Sequence, residues 1–480
     1  MNKMNKIAII GAGASAVGTI IALKKLGIKN KNITIFNSDN KKKTINTNLN
    51  FKDLIKKNDL KNIYKILKKK FSLKIINKKT SAFSYLENIN KKNDLLDNNF
   101  EFGFTNFWGG SVQIFDESSA KKNFFNYPKL LKGYEKILNY IYLTKGIYLN
   151  DALKKKIIKN GQIKLEKNLE ILSKNFKNTN NINCTINSIA INLKKYDGNK
   201  INIIDNLIGS NNNSIFNSEI FFKDYKDIIF ENKVVKKISI NDRVIFAGKN
   251  YEKKFNKIFF CAGPYYTQKI LGDSLDELKS YKVKDSYTFT VPLIYVGKQN
   301  AKREDYFSLT NLVVNIKKNF TEIAQVQIYP PQKHFFYSII NHNLWKSLKW
   351  IYKYIFKRVY FARVYLTDEY CITRYFDCNA RTTLIKKKIP NKDNLDKVNN
   401  FVIDEIKSAL SNTGFKILNI KIPSKTSAHY AGQLDIEVSK KLIEKKIFIN
   451  DTSNWTYLPS YSPTFTIIAQ AYINTLKIFK

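Results

Sequence analysis

Apolar residues first gather at Ile7 to Ile10, a run of the length a buried strand needs, and it ends on glycine. Ile20, Ile21, Ala22 and Leu23 carry a helical apolar pattern that stops at Gly27, and "NITIFNSD" then supplies a second buried strand, Ile33 to Phe36. Strand, turn, helix and strand therefore follow one another. Later, "NKIFFCAGPYYTQKIL" repeats the first three, with its strand over Ile258 to Phe260, after a strand pair in "NKVVKKISI" and "DRVIFAG". The β-branched and aromatic residues of "YTFTVPLIYVG" and "EIAQVQIYPP" predict two more strands. "NLWKSLKWIYKYIFKRVYFARVYL" predicts a helix: Leu344, Leu348, Ile351 or Tyr352, Ile355 and Val359 share one face, and Lys346, Lys349, Lys353 and Lys357 fall largely elsewhere. The tail "KIFINDTSNWTYLPSYSPTFTIIAQAYINTLKIF" predicts a strand (Ile447 to Ile449) leading to Asp451, a proline-bearing loop and a helix. Helices and loops are expected over 40–100, and a loop in the Asn-rich stretch 194–214.

Composition narrows the class. The 480 residues are 44% hydrophobic and 14% aromatic, enough for a large core or two to three smaller ones. Without a run of 18 uncharged apolar residues, no membrane span is expected, and "MNKMNKIAIIGAG" lacks the apolar length of a signal peptide. The expectation is a cytoplasmic protein. Cys184, Cys261, Cys371 and Cys378 show no CxxC spacing and no pairing with histidine, which argues against zinc, iron–sulfur or disulfide frameworks; no metal is expected. The net charge of +43 suggests nucleic acid, but the lysines are scattered and rise together with Asn, Ile, Phe and Tyr, as an AT-rich coding sequence would give. No nucleic-acid partner is expected. The basic, aromatic helix at 344–359 suits either a peripheral membrane contact or the cover of a substrate pocket.

Chemistry enters at the first turn. Gly11, Gly13 and Ala16 fit G-x-G-x-x-G/A, in which glycines allow a tight turn and close backbone approach to a pyrophosphate held at the helix N-terminus. The strand–turn–helix context makes this a dinucleotide signature rather than a chance glycine turn. Where an acid would bind the ribose hydroxyls stands Asn37, with Asp39 as the fallback. The pattern occurs once, so one dinucleotide, FAD or NAD, is expected. In "FTNFWGGSVQIFDESS", Trp108, Gly109, Gly110 and Ser111 suit a loop running along a flat ligand, or a glycine turn packed on a core tryptophan. Of three histidines, His334, His342 and His429, the last lies in "SAHYAGQLDI" and could be a base, a ligand or a core side chain.

Taken together, the N-terminal motif, "NFWGGS", "NNNSIFNSEIFF" (Asn211 to Phe222), "FFCAG" and the tail pieces "SAHYAG", "FINDTSNW" and "SPTFTIIAQA" resemble the glucose–methanol–choline (GMC) oxidoreductases. They are similar in particular to the shorter bacterial members found in polysaccharide-biosynthesis contexts. The resemblance implies an α/β fold, α+β overall, with a discontinuous Rossmann-like FAD-binding domain (1–130, 200–274 and 421–480) and an inserted β-rich substrate domain (275–420). It implies FAD and oxidation of a CH–OH group, such as that of a sugar or polyol, by hydride transfer to flavin N5. His429 corresponds to the catalytic histidine, Asp451 to an FAD-contacting Asp, and Ala262 and Gly263 to the second crossing at the cofactor; Val234 or Val235 would reach the adenine. Ser462 and Pro463 are expected to cap the last helix, whose N-terminus, with Thr464, would face the flavin. Two positions depart from the pattern. Ser462 stands where the family places a second catalytic His or Asn, and Gln433 where Thr commonly follows the glycine. Ser462 can hydrogen-bond but cannot accept a proton in the same way. An FAD-dependent reductase or a redox-neutral flavoenzyme therefore stays open, as does a flavin-free basic binding protein on a degenerate Rossmann scaffold. A single nucleotide would pass electrons to oxygen, a quinone or another protein.

Overall fold

The computed structural model describes residues 6–37, 110–141, 165, 167–190, 216, 218–248, 250–297, 310–331, 358–378, 383–418, 421–423, 427 and 429–479. Strand β1 (Ile7–Ile10) runs into helix α1 (Ala14–Lys25), and β2 (Ile33–Asn37) follows, as the apolar pattern predicts. From Gly110 come β3 (Ser111–Val112), then α2 (Glu117–Lys122) and α3 (Tyr127–Ile137), whose N-terminal N–H groups are capped by Asp116 and Asn126. Next are α4 (Lys167–Lys177), β4 (Ile182–Ile186), β5 (Ser188–Ile189) and α5 (Ser218–Lys223). The strands β6 (Ile229–Asn232), β7 (Val235–Ser239), β8 (Val244–Ala247), β9 (Tyr251–Lys254) and β10 (Lys257–Phe260) lead to α6 (Pro264–Gly272). A β-rich stretch follows: β11 (Ser280–Asp285), β12 (Thr288–Tyr295), β13 (Leu312–Lys318), β14 (Thr321–Tyr329), β15 (Val359–Leu366), β16 (Ile372–Asp377) and β17 (Thr383–Lys388). The chain closes with α7 (Lys392–Ala409), β18 (Phe415–Ile417), β19 (Ile422–Pro423), β20 (Tyr430–Gly432), α8 (Ile436–Glu444), β21 (Ile447–Ile449) and α9 (Thr464–Ile478).

Five parallel strands in the order β21-β10-β1-β2-β6 make a Rossmann-like sheet. Its central strands are mostly apolar because both faces are covered. Ile7, Ile9, Ile33, Ile35 and Phe259 pack with residues of α1, α3 and α9, while Ala8, Ile10, Phe36, Ile258 and Phe260 pack with the antiparallel β7-β8-β9 layer. The larger sheet is antiparallel, in the order β18-β12-β15-β14-β13-β4, with β19 also on β12. It takes β4 from a segment the sequence reading left unassigned. One face buries Leu312, Val314, Ala324, Val326, Ala362 and Val364 against α4 and α7. A four-stranded sheet, β17-β16-β11-β20, draws its strands from within and after the larger sheet's stretch of chain. The expected α/β fold, α+β overall, is the observed one.

Two local expectations are corrected. The end of the predicted helix, Val359–Leu366, is strand β15 in the middle of the larger sheet; residues 344–357 lie outside the described ones. Tyr360, Ala362, Val364 and Leu366 alternate into the core, so the period is two there and tertiary pairing sets the element. Ser462 is not the cap of α9: Pro463 occupies the N-cap position with no capping hydrogen bond, and Ser462 precedes it.

The two chain ends meet where α1 crosses α9. A Cβ added at Gly18 would overlap the Ile468 carbonyl oxygen and lie 3.0 Å from Ala471 Cβ. In an open helix, Gly→Ala stabilises by about 0.5–1 kcal/mol. Here Gly18→Ala is expected to destabilise by roughly 1–3 kcal/mol. Denaturant unfolding of the two proteins checks the sign, and a stabilised variant would contradict this packing.

Candidate functional site

In the parallel sheet, β2 and β6 lie to one side of β1, and β10 and β21 to the other. Such a switch point leaves a crevice beyond the carboxyl ends of the strands. Gly11, Asn37, Ala262, Gly263 and Asp451 all follow or end parallel strands, so they gather along that edge. Gly11 has φ +98°, and a Cβ there would lie 2.5 Å from Cys261 O and 2.7 Å from Ala262 Cα; the two turns touch. Gly13 is the N-cap of α1 without a side-chain cap, and a Cβ there would meet nothing within 4 Å. An uncapped helix N-terminus beside open space is a site for an anion. Ala16 is buried on the core side of α1, Asn37 is buried at the end of β2, and Val235 is buried in the layer behind Phe36.

Asp451 has a structural task in this edge. Its carboxylate accepts hydrogen bonds from Gly263 N (2.9 Å), Thr267 Oγ1 (2.5 Å), Ser453 N (2.9 Å) and Ser453 Oγ (2.5 Å). Burial raises its pKa, and those four bonds oppose the rise. The side chain thus ties the start of α6 to the 452–454 turn. Trp108 and Gly109 lie outside the described residues. Gly110 and Ser111 are held against β5: the Gly110 carbonyl accepts from Ala190 N (2.8 Å), and Ser111 Oγ donates to Asn187 Oδ1 (3.1 Å).

Facing the apolar side of the larger sheet is a polar side that sequence reading missed. Gln325 Nε2 donates to Asn315 Oδ1 (2.9 Å) and, across to the segment after β3, to Gln113 Oε1 (2.6 Å). Gln327 Nε2 donates to Gln325 Oε1 (3.3 Å), and Tyr329 Oη to Gln327 Oε1 (3.0 Å). On the neighbouring strand, Tyr365 stacks on His429, with ring centroids 4.8 Å apart and planes at 15°, and Arg363 lies 5.3 Å from the Tyr365 centroid. His429 Nδ1 is buried without a hydrogen-bond partner among the described residues. Burial, then the Arg363 charge, brings the His429 pKa down from 6.5 to about 3, so the imidazole is neutral at ordinary pH.

The loop carrying Ser462 reaches the same sheet. Asn123 exchanges hydrogen bonds with the Tyr457 backbone, Lys284 Nζ donates to Thr456 O (2.9 Å), and Asp368 Oδ1 accepts from Leu458 N (2.9 Å). Ser460 Oγ donates to Glu322 Oε1 on β14, and Tyr461 Oη to Ser119 Oγ (2.7 Å). Burial lifts the Glu322 pKa to about 7, and Asp116 adds to the rise. Gln325 is the ladder partner of Tyr365, three residues beyond Glu322. His429 and the Ser462 loop therefore attach to neighbouring strands with roughly 10 Å between attachment points along the strand. Pro463 and Thr464 begin α9, whose first turn is held by Tyr134 through a 2.6 Å hydrogen bond to Thr466 Oγ1 and a stack on Phe465.

The spacing His429-x-x-Gly432 has a physical origin. A Cβ at Gly432 would overlap Gln268 Nε2 and come within 2.9 Å of Ser453 Cα, so β20 passes between α6 and the turn at Asp451. This locks His429 to the crevice edge. His334 and His342 lie outside the described residues. Glu322, Arg363, Tyr365, Gln113, Gln325 and Gln327 carried no motif; the polar alternation in "AQVQIY" was the signal available for two of them.

The His429 pKa lies lower in the folded chain than the ordinary 6.5, so protons favour the unfolded state. Its neutral form supports the fold fully above about 6.5, and that support is lost as pH falls toward about 3. Across that window the stability of the native chain should fall more steeply than that of His429→Gln, by up to about 1.4 kcal/mol per pH unit. Parallel stability curves from denaturant titrations at several pH values would contradict a neutral, buried His429.

No protein-family model and no curated protein sequence matches the chain. Solved structures do. The chain is similar to pyridoxine 4-oxidase from Mesorbium loti, with a TM-score of 0.59 and 10% identity over 98% of this chain and 99% of that one. It is also similar to an FAD-dependent oxidoreductase from Chaetomium thermophilum, with a TM-score of 0.57 and 10% identity over 98% and 99% of the two chains. At that identity, the likeness shows a shared fold: a Rossmann-like parallel sheet joined to an antiparallel one over nearly the full length of each chain.

Proposed function

We propose that the protein is an FAD-dependent oxidoreductase of the GMC type that oxidises a CH–OH group, on a sugar or polyol. The observation that carries this is the His429 ring, stacked on Tyr365 of the sheet that meets a dinucleotide crevice, with no hydrogen bond to its Nδ1 among the described residues. The residues fit the cofactor. The uncapped N-terminus of α1 at Gly13, beside open space, and the close turn at Gly11 suit the pyrophosphate. Asn37 suits the ribose, Val235 the adenine side, and Gly110, Ser111, Ala262, Gly263 and the start of α9 at Pro463 and Thr464 the remaining length. Asp451 acts by holding Gly263 and the 452–454 turn in place.

FAD, when bound, supplies the acceptor for a hydride from the carbon bearing the hydroxyl. His429 accepts the hydroxyl proton, which a neutral imidazole can do and an imidazolium cannot. Burial, with the Arg363 charge second, keeps the ring neutral. Gln325, Gln327 and Tyr329, with Gln113, form an amide and hydroxyl array of the kind that orients a molecule with several hydroxyls. Ser462, which cannot replace a second proton acceptor, is left to position the substrate hydroxyl. The two similar structures, an oxidase of pyridoxine and an FAD-dependent oxidoreductase, support the same reading.

Two variants test it. Gly13→Glu sets its Cβ in open space and puts a carboxylate at a helix N-terminus, where it stabilises the helix by about 0.3–1 kcal/mol. The expected result is a folded chain of undiminished stability that no longer retains FAD; retained FAD would remove the cofactor from this crevice. His429→Ala should keep flavin but slow its anaerobic reduction by a polyol or sugar substrate roughly a hundredfold. Equal bleaching rates in the two proteins would remove His429 from the chemistry.

A further inference from the structure

His429 is placed by its backbone, and that backbone is held by a chain of groups that ends in the interior. The His429 N–H donates to Ser427 Oγ (2.8 Å), and the His429 carbonyl accepts from Ser286 N (3.3 Å). Ser427 in turn donates from Oγ (2.7 Å) and from its backbone N (3.1 Å) to Asp285 Oδ1. The other carboxylate oxygen, Oδ2, accepts from Arg374 Nη1 at 3.2 Å. Both side chains of this ion pair are 0% exposed. Asp285 ends β11 and faces Tyr430, the residue after His429, across the ladder; Arg374 lies on β16, two ladder positions away opposite Val283.

A buried ion pair contributes little net stability, because the cost of desolvating two charges offsets their attraction, and apolar residues of similar size would serve the core as well. Here the pair is also incompletely satisfied: Arg374 Nε and Nη2 have no partner among the described residues. Among the described residues, the second carboxylate oxygen faces Ser427. With Arg374 anchoring one oxygen, Asp285 offers the other to both donors of Ser427, and Ser427 offers its oxygen to His429. We infer that the Asp285–Arg374 pair, acting through the Ser427 hydroxyl, is the positioning device that sets the His429 ring on Tyr365 and aims it at the substrate. The assignment of His429 as proton acceptor comes from the function proposed above; the positioning itself does not depend on it.

Ser427→Ala removes one hydroxyl and leaves the ion pair intact, so the fold is kept; Ser427→Thr keeps the hydroxyl. In the full chain with His334→Gln and His342→Gln, His429 is the one histidine. Histidine labelled with carbon-13 at Cε1 then reports its ring by NMR across a pH series, with or without turnover. The expected result is a single, untitrating ring signal near neutral pH in the parent chain. Ser427→Ala should shift or split that signal and move its titration toward the ordinary range, and Ser427→Thr should restore it. In the same proteins, the limiting rate of flavin reduction should fall roughly tenfold to a hundredfold in Ser427→Ala, with substrate affinity nearly unchanged. A folded Ser427→Ala protein with the parent ring signal and titration would overturn the inference. A displaced ring with no substrate reducing the flavin in any variant would uphold the positioning and sink the oxidoreductase reading instead.

Discussion

The Ile468 carbonyl oxygen occupies the space where any side chain at position 18 would have to be, and that contact joins residues separated by most of the chain. It sets the crossing of the first and last helices, and Asn450 reinforces the crossing by donating to Thr19 Oγ1 and Thr475 Oγ1, both at 2.9 Å. With the helices fixed, the first and last strands of the parallel sheet fall on either side of the Ile258–Phe260 strand, and their carboxyl ends share one edge. The crevice at Gly11 and Gly13 exists because of this closure, not because of the glycine motif alone.

The second constraint is the two-sidedness of the larger sheet. Its apolar side is an ordinary core under two helices, but its opposite side carries buried amides and a tyrosine that are bonded to one another, with the half-buried Arg363 guanidinium beside Tyr365. A sheet face of this kind is costly to bury unless its groups have partners. Gln113 supplies one partner from the segment after the Ser111–Val112 strand, and Ser460 another from the loop before the last helix. The polar face therefore fixes the position of the β-rich body against the Rossmann-like one, and His429 lies in the junction.

How much of this could be read beforehand divides along sequence separation. The strand–turn–helix–strand over 7–37 and the strands at 258–260 and 447–449 are local patterns, and each was legible because both faces of a parallel sheet demand apolar runs. The strand at Val359–Leu366 was not. Lysines and aromatics before it keep a helical spacing, and only pairing with Thr288–Tyr295 and Thr321–Tyr329 makes it a strand. His429, Gly11 and Asp451 stood out as members of motifs. What positions them did not: Ser427 meets Asp285 from 142 residues away, and Arg374 meets Asp285 from 89. Asp451 shows the converse, a residue singled out for cofactor contact whose carboxylate is engaged with Gly263, Thr267 and Ser453.

The central claim is that the crevice at the switch point holds FAD. The most direct measurement is the visible absorption spectrum of the purified protein, followed by that of the supernatant after denaturation. The account predicts a bound-flavin spectrum and release of free FAD at close to one per chain. A colourless protein that also takes up no added FAD would contradict it, and would leave His429 a packed histidine between two domains.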